Sequence, residues 1–423
     1  MSSFSFIHAA DLHLDATFKG ISHVAPQVGA LLQDATFEAL ERLTALALSE
    51  QPDFVVLAGD IYNQEDKSLK ARFALRDACK KLDAAGIPVF IVHGNHDPLL
   101  EADATFSFPK NVHVFGTEAS FVPVTDARGE LLTIVHGISH GKVNEKRKLI
   151  RQFSRAPEDV FQVGVLHCTV DAVAASDVYA PANLKDFGAT GIDYWALGHI
   201  HEQQILSREP FVAYSGNIQG LHINEQGERG CLLVRVEHGV VHAEPRTLGS
   251  IQWHVQPLDI TSLEQVDTLE QTVEELLEAL MQELPDRCRG VIVRLVLEGR
   301  SLLDGELRKN GAVKELTERV RDMFMDATPF VWLKDIILDC KPDVDLEALR
   351  ERPDLLGEAL TIGNQLTDRT DDAEHGMQEL RTIVGELYGS ATGKRQLTLL
   401  TDEELRQLAE EAQYLCLDLL EAE

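Results

Sequence analysis

Five short apolar runs in the first half of the chain each end in residues able to bind a metal, and this recurrence constrains the fold more than any other feature. Phe54-Val55-Val56-Leu57-Ala58 leads into Gly59-Asp60, and Val89-Phe90-Ile91-Val92 leads into Gly94-Asn95-His96. Residues 163–166 run into His167, and residues 194–197 run into Gly198-His199-Ile200-His201. A less uniform run, residues 4–10, precedes Asp11-Leu12-His13. Such runs read as strands, and unbroken apolarity suits strands buried on both faces. Helical patterns lie between them: Phe37, Leu40, Leu43, Leu46 and Ala47 follow Thr36, and Leu69, Phe73, Ala78 and Leu82 make a stripe that stops at Gly86 with Pro88 beyond. Strand-helix-strand order brings successive strand ends to one edge of a sheet, where open α/β folds hold ligands. An α/β domain follows, in which residues distant in sequence converge.

The residue types suit one chemistry. A carboxylate such as Asp60 can bridge two cations, while imidazoles and the Asn95 amide complete each shell without adding excess negative charge near a phosphate diester. Two divalent ions about 3.5–4 Å apart polarise phosphoryl oxygens and turn a bridging water into hydroxide, the nucleophile for in-line attack. Nitrogen and oxygen donors without thiolate favour Mn, Fe or Zn over Ca or Mg, and Mn is the expected metal. His96 adjoins a ligand and is suited to donating a proton to the leaving oxygen or to stabilising transition-state charge. Each motif alone reads equally well as a turn or an exposed strand end. All five in one order read as a phosphoester-cleaving dinuclear site.

The series DxH, GD, GNHD, a lone His and GHxH resembles the calcineurin-like metallophosphoesterase superfamily. ADLHLD near the start, NVHVFG at 111–116 and DYWALGHIH at 193–201 are similar to its DNA-repair nuclease branch, which includes SbcD. YSGNIQGLHINEQGERG at 214–230 resembles the YhaO-type subgroup. The resemblance implies a sandwich of two β-sheets flanked by helices, Mn-dependent exonucleolytic cleavage of DNA, an SMC-like ABC ATPase as partner, and dimerisation through the catalytic domain. It places Asp11, His13 and His201 on one metal, Asn95, His167 and His199 on the other, Asp60 between them, and His96 as the catalytic histidine. Asn63 departs from the acidic residue or His that many relatives carry after the GD motif. Ser215-Gly216-Asn217 reads as a turn near the metals, and His222 is read either as a phosphate contact or as a surface loop histidine.

Charge opposes a DNA substrate. At -30 over 423 residues the chain as a whole repels a phosphate backbone. Against this, HGKVNEKRKLIRQFSR at 140–155 concentrates Lys142, Lys146, Arg147, Lys148, Arg151 and Arg155, and on a helix Arg147, Arg151 and Arg155 would share one face. That face would follow a DNA backbone or simply be solvated. The six cysteines form no CxxC pair, so neither a zinc ribbon nor a disulfide framework is expected, and Cys168 is read as a core residue. No stretch approaches the length of a membrane span, and a cytoplasmic protein is expected.

Three regions are expected: a nuclease domain over 1–250, a small α/β capping domain over 251–340, and an acidic helical region over 341–423. Strands at 252–260, 290–297 and 330–338, separated by helices at 262–284 and 306–324, make the middle region a βαβαβ unit. Near the C-terminus, Thr401 and Glu404 form a capping box before a stripe of Leu405, Leu408, Ala412, Leu415, Leu419 and Leu420, which must be buried in the chain's own core or on a partner. LTDRTDDAEH at 366–375 reads as a mobile linker. Two further functions stay open beside the DNA exonuclease: a phosphodiesterase or phosphatase acting on a small nucleotide, and a mainly structural subunit of an ATPase–DNA complex.

Overall fold

The computed structural model describes residues 3–16, 26–63, 68–99, 106–171, 178–367, 378, 380–382, 384–385 and 400–420. The chain divides into two compact units, Met1–Gly299 with Gly305–Cys340, and Arg300–Asp304 with Lys341–Glu423.

In the first unit the strands are β1 (Phe4–Ala9), β2 (Phe54–Ala58), β3 (Val89–Val92), β4 (Val112–Val114), β5 (Ser120–Thr125), β6 (Leu131–Ile138), β7 (Gln162–His167) and β8 (Tyr194–Gly198). There follow β9 (Gln204–Arg208), β10 (Phe211–Tyr214), β11 (Gly230–Glu237), β12 (Val240–Thr247) and β13 (Ile251–Asp259). One six-stranded sheet has the order β12-β11-β1-β2-β3-β4, and a second has β5-β6-β7-β8-β10-β9. Within them β1, β2, β3 and β4 run parallel, as do β6, β7, β8 and β10.

Alternation along the strands explains why their runs are apolar throughout. Phe6, Phe54, Val56, Phe90 and Val92 of the first sheet meet Val135, Val163, Val165, Tyr194, Ala196 and Phe211 of the second in one core. The intervening residues Ile7, Ala9, Val55, Leu57, Val89 and Ile91 face outward beneath helices α1 (Pro26–Glu50) and α2 (Leu69–Ala84). Leu166, Trp195, Leu197 and Val212 do the same on the other side, where Cys168 and Phe187 also pack. Each of the Val, Leu, Ile and Phe side chains among these contributes roughly 1.5–3 kcal/mol by leaving water. The expected two-sheet α/β sandwich is therefore the observed one, and Cys168 is buried as expected.

Two details of the helices differ from the sequence reading. The first begins at Pro26, ahead of Thr36, which lies inside it. In α2 the buried row is Ala71, Leu75, Ala78, Cys79 and Leu82, while Leu69 and Phe73 are exposed. Small residues on that face let the helix lie close to the sheet, and Phe73 instead stacks beside Arg76.

A third sheet, β13-β14-β15, uses β14 (Gly290–Ser301) and β15 (Phe330–Pro342), with β13 and β14 parallel across helix α3 (Val266–Glu283). The helix expected at 306–324 is broken: a single turn at Asp304–Leu307 is followed, after Gly311 at φ 94°, by Ala312–Met323.

In the second unit the capping box at Thr401 and Glu404 forms as read, and it opens the helix Asp402–Leu420. The buried row of that helix is Leu405, Ala409, Gln413 and Leu417, so the expected stripe is corrected: Leu408, Leu415, Leu419 and Leu420 are exposed. The buried row includes the polar Gln413, and it packs against Gly363. A Cβ at Gly363 would lie 2.5 Å from Gln413 Cγ, so the missing side chain draws the Gln413 row against the helix Leu355–Thr367. Residues 368–375 of the expected linker lie outside the described residues. Among the described residues no helix is long and apolar enough to cross a membrane.

Candidate metal centre

Parallel strands ending at one edge deliver the ligand motifs. Asp11 follows β1, Asp60 follows β2, Asn95 follows β3, His167 ends β7, and His199 follows β8. The chain turns sharply at these points. Asp11 (φ 51°), His13 (φ 41°), Asp60 (φ 50°) and His199 (φ 105°) all hold left-handed backbone, a conformation costing roughly 1–3 kcal/mol each and concentrated at functional sites. Backbone bonds hold the turns: Asp11 N–H donates to Gly59 O and His13 N–H donates to Asp60 O, both at 3.0 Å. The motif glycines are steric necessities. A Cβ on Gly94 would lie 2.2 Å from Asp60 Oδ1 and 2.8 Å from His167 Nε2, and one on Gly198 would lie 2.0 Å from Ala58 O.

Acceptor atoms converge here. His13 Nδ1 lies 2.8 Å from Asn63 Oδ1 and His201 Nδ1 lies 2.6 Å from Glu225 Oε1, so both rings spend their N–H outward. Their Nε2 atoms then face each other at 3.1 Å. Likewise His167 Nδ1 donates to Ala58 O at 2.9 Å, which turns Nε2 toward Asn95 Oδ1 at 3.1 Å and Asp60 Oδ2 at 3.3 Å. Lone pairs aimed at lone pairs are repulsive unless a cation or proton sits among them. Donor atoms of Asp11, His13 and His201 lie within 4.8 Å of one another, as do those of Asp11, Asp60 and His167. The donor chemistry therefore fits divalent metal. His199 sits beside these groups, its ring centroid 5.4 Å from that of His167, and its N–H donates to both Asp11 oxygens.

Electrostatics of the metal-free chain point the same way. Burial pushes Asp11 up to about 6 against the pull of His167 and His201. Burial also opposes ionisation of Asp60, but His167 outweighs it and holds that carboxyl well below its usual range. Burial disfavours the His167 cation, yet Asp60 and Asp11 raise it to about 9, while burial and His201 lower His13 to about 4. Burial opposes the His201 cation, while Glu225 and Asp11 raise it.

His96 stands apart. Its backbone N–H donates to Asp60 Oδ1 at 2.9 Å, and its side chain is exposed, with the ring centroid 5.1 Å from that of His13.

Several supporting residues escaped the sequence reading. Asp97, fully buried, accepts from the backbone N–H groups of Gly94 and Ile61 and from His93 Nδ1, so it ties the GNHD turn to the GD turn. The final residue of GNHD was the available signal. His140 Nε2 donates to His167 O at 2.7 Å. Glu225 lies within the 214–230 segment that resembles the YhaO-type subgroup, but the reading singled out only Ser215-Gly216-Asn217 and His222 there.

Of the residues expected to touch substrate, His222 lies in an open groove of about 520 Å³ with His199, His201 and Glu225, and its Nε2 is 3.0 Å from Glu225 Oε1. The helix expected to align Arg147, Arg151 and Arg155 does not form. Among residues 140–155 the only helical turn is the 3₁₀ segment Leu149–Gln152. Arg147 is held by the buried Glu145 at 2.8 Å, and Arg155 by Asp193 at 2.8 Å and by the carbonyls of Gly191 and Val160. These pairings fix the backbone in other directions and leave Arg151 exposed.

Such a donor set, at the strand ends of a two-sheet sandwich, defines a metallohydrolase centre able to hold two divalent cations. A family model described as calcineurin-like phosphoesterase matches residues 4–203, and one described as metallophosphoesterase YhaO, middle domain, matches residues 253–341. The chain is 33% identical over 336 residues to the uncharacterized metallophosphoesterase YhaO of Bacillus subtilis (strain 168), covering 78% of this chain and 81% of that one. It is 26% identical over 234 residues to the DNA double-strand break repair protein Mre11 of Aeropyrum pernix, covering 52% of this chain and 54% of that one. To the protein of that name from Sulfurisphaera tokodaii it is 22% identical over 412 residues, covering 91% and 98%. The chain belongs to the calcineurin-like metallophosphoesterase family, whose chemistry is phosphoester hydrolysis.

Proposed function

We propose that this protein is a Mn-dependent DNA exonuclease. The observation that carries the reading is the convergence of acceptor atoms from Asp11, His13, Asp60, Asn95, His167 and His201 at the strand ends of the two sheets. Asp11, His13 and His201 would hold one cation, Asn95, His167 and His199 the other, and Asp60 both. Bound cations supply Lewis acidity and lower the pKa of bound water. The chain's own residues do the rest. Asp97 and the left-handed turns keep the ligands in place, and His96, exposed beside Asp60, faces the open side where a leaving oxygen would be protonated. His222 lines the groove beside the ligands and is the substrate contact best supported by position. Arg147 and Arg155 have their guanidinium groups paired within the fold, so of the three arginines Arg151 is the one left to meet phosphate.

DNA as substrate is supported by likeness to double-strand break repair proteins. The partner in this reading is an SMC-like ABC ATPase, for which the exposed Leu408, Leu415 and Leu419 offer a docking ridge, and the working location is the cytoplasm. A small-nucleotide phosphodiesterase is the second reading, favoured by the charge of -30.

The deciding experiment offers labelled duplex DNA, single-stranded DNA and a chromogenic phosphodiester to the full chain with Mn²⁺, with and without chelator, in wild type and His96→Ala. DNA cleavage that chelator abolishes and His96→Ala strongly reduces supports the nuclease. Hydrolysis of the small diester alone, with both DNAs intact, overturns it.

A further inference from the structure

Glu225 lies on the loop between β10 and β11, is 5% exposed, and engages four groups. Its Oε1 takes His201 Nδ1 at 2.6 Å and His222 Nε2 at 3.0 Å, and its Oε2 takes Asn217 Nδ2 at 2.8 Å and the Leu221 N–H at 2.6 Å. A carboxylate so fully engaged cannot swing, and the ring it grips cannot rotate about its own axis. The backbone of His201 is fixed too, because its carbonyl accepts from Arg229 at 2.6 Å and from Asn217 N–H at 3.2 Å.

The loop is in turn stitched to β13, the first strand of the third sheet. Trp253 Nε1 donates to Gly220 O at 2.9 Å, and Gln219 Nε2 donates to Ile251 O at 2.8 Å. Gln219 Oε1 accepts from Ser250 N–H at 2.9 Å, Gln226 Oε1 from Val255 N–H at 3.0 Å, and Trp253 O from Gly227 N–H at 3.0 Å. The third sheet is therefore part of the scaffold behind His201.

We propose that Glu225 is a positioning residue that fixes His201 with Nε2 aimed at the Asp11–His13 donor group, and that β13, by holding the Glu225 loop, sets how tightly that half of the centre binds metal. A carboxylate behind a ligating imidazole fixes its tautomer and direction and raises its basicity. The inference rests on the two-metal reading, so its test separates the two.

Metal-stripped full chain is titrated with Mn²⁺ by calorimetry for wild type, Glu225→Gln, Glu225→Ala and Trp253→Phe, and the thermal midpoint of each metal-free chain is measured in parallel. Wild type is expected to bind two ions. In Glu225→Ala one of the two affinities falls by about 10–100-fold while the other is retained. Glu225→Gln, which keeps an acceptor but loses the charge, loses less, and Trp253→Phe, which keeps the packing but loses the Gly220 bond, weakens the same ion. Wild type that fails to bind two ions defeats the metal reading itself. Two ions bound with unchanged affinity in both Glu225 variants, whatever their thermal midpoints, overturns the positioning role, and unchanged affinity in Trp253→Phe overturns the part assigned to β13.

Discussion

Replacing Gly94 with alanine tests the ligand geometry through a single methyl group. The added Cβ would lie 2.2 Å from Asp60 Oδ1 and 2.8 Å from both Asp60 N and His167 Nε2, whereas ordinary contact begins at 3.4 Å. Something must retreat by about 1 Å, and all three of these atoms belong to the centre. The backbone of Asp60 is pinned by its bond to His13, and His167 by its bond to Ala58, so the Asp60 carboxylate moves and loses the His96 N–H bond. A misplacement of about 1 Å at reacting groups costs roughly 100-fold in rate, or about 2.7 kcal/mol of transition-state stabilisation. Overpacking adds a stability loss of about 1–3 kcal/mol. The assay is kcat/KM for a chromogenic phosphodiester with Mn²⁺, with denaturant melts alongside, and Gly116→Ala is the control because a Cβ there meets nothing within 4 Å. A Gly94→Ala enzyme within about threefold of wild type would refute the claim that this contact holds the bridging carboxylate.

Three further outcomes follow from the same geometry. His96→Gln should lower kcat by about 100-fold or more while leaving Mn²⁺ affinity unchanged in calorimetry, since its side chain is exposed and only its backbone meets Asp60. Burial lowers His8 to about 4, so it stays neutral in the fold while the unfolded chain takes up a proton near its ordinary 6.5. Its share of stability is complete above that value and is lost as pH falls toward 4, at about 1.4 kcal/mol per pH unit; His8→Gln should flatten the wild-type slope between pH 7 and 5 in denaturant titrations. In the C-terminal helix, Leu417→Ala should cost about 2–5 kcal/mol in its unit, while Leu415→Ala should change little, as read by melts of the full chain.

The convergence of the motif residues was legible because strand ends leave local marks. A run such as Val55–Ala58 announces its strand, and the glycine before Asp60 or Asn95 announces a close approach. The two-sheet sandwich came from family resemblance, since a strand covered by a helix and one covered by a second sheet have the same apolar composition. The quoted 214–230 segment contains Glu225, but its role was not legible, because it meets His201 across 24 residues of chain through tertiary folding alone. The arginines at 147, 151 and 155 misled for a related reason. Helical spacing is a local property, but Glu145 and Asp193 outbid it by capturing two of the three side chains. The terminal leucines failed because the buried row includes the polar Gln413, which packs against Gly363 where no side chain stands in the way.

The central claim is a pair of cations bridged by Asp60. Crystals of the full chain grown or soaked with MnCl₂ and measured near the manganese absorption edge address it most directly. The account predicts two anomalous peaks about 3.5–4 Å apart on either side of the Asp60 carboxylate, one against His13 and His201 and the other against Asn95 and His167. A single peak, or peaks that leave Asp60 untouched, would contradict it.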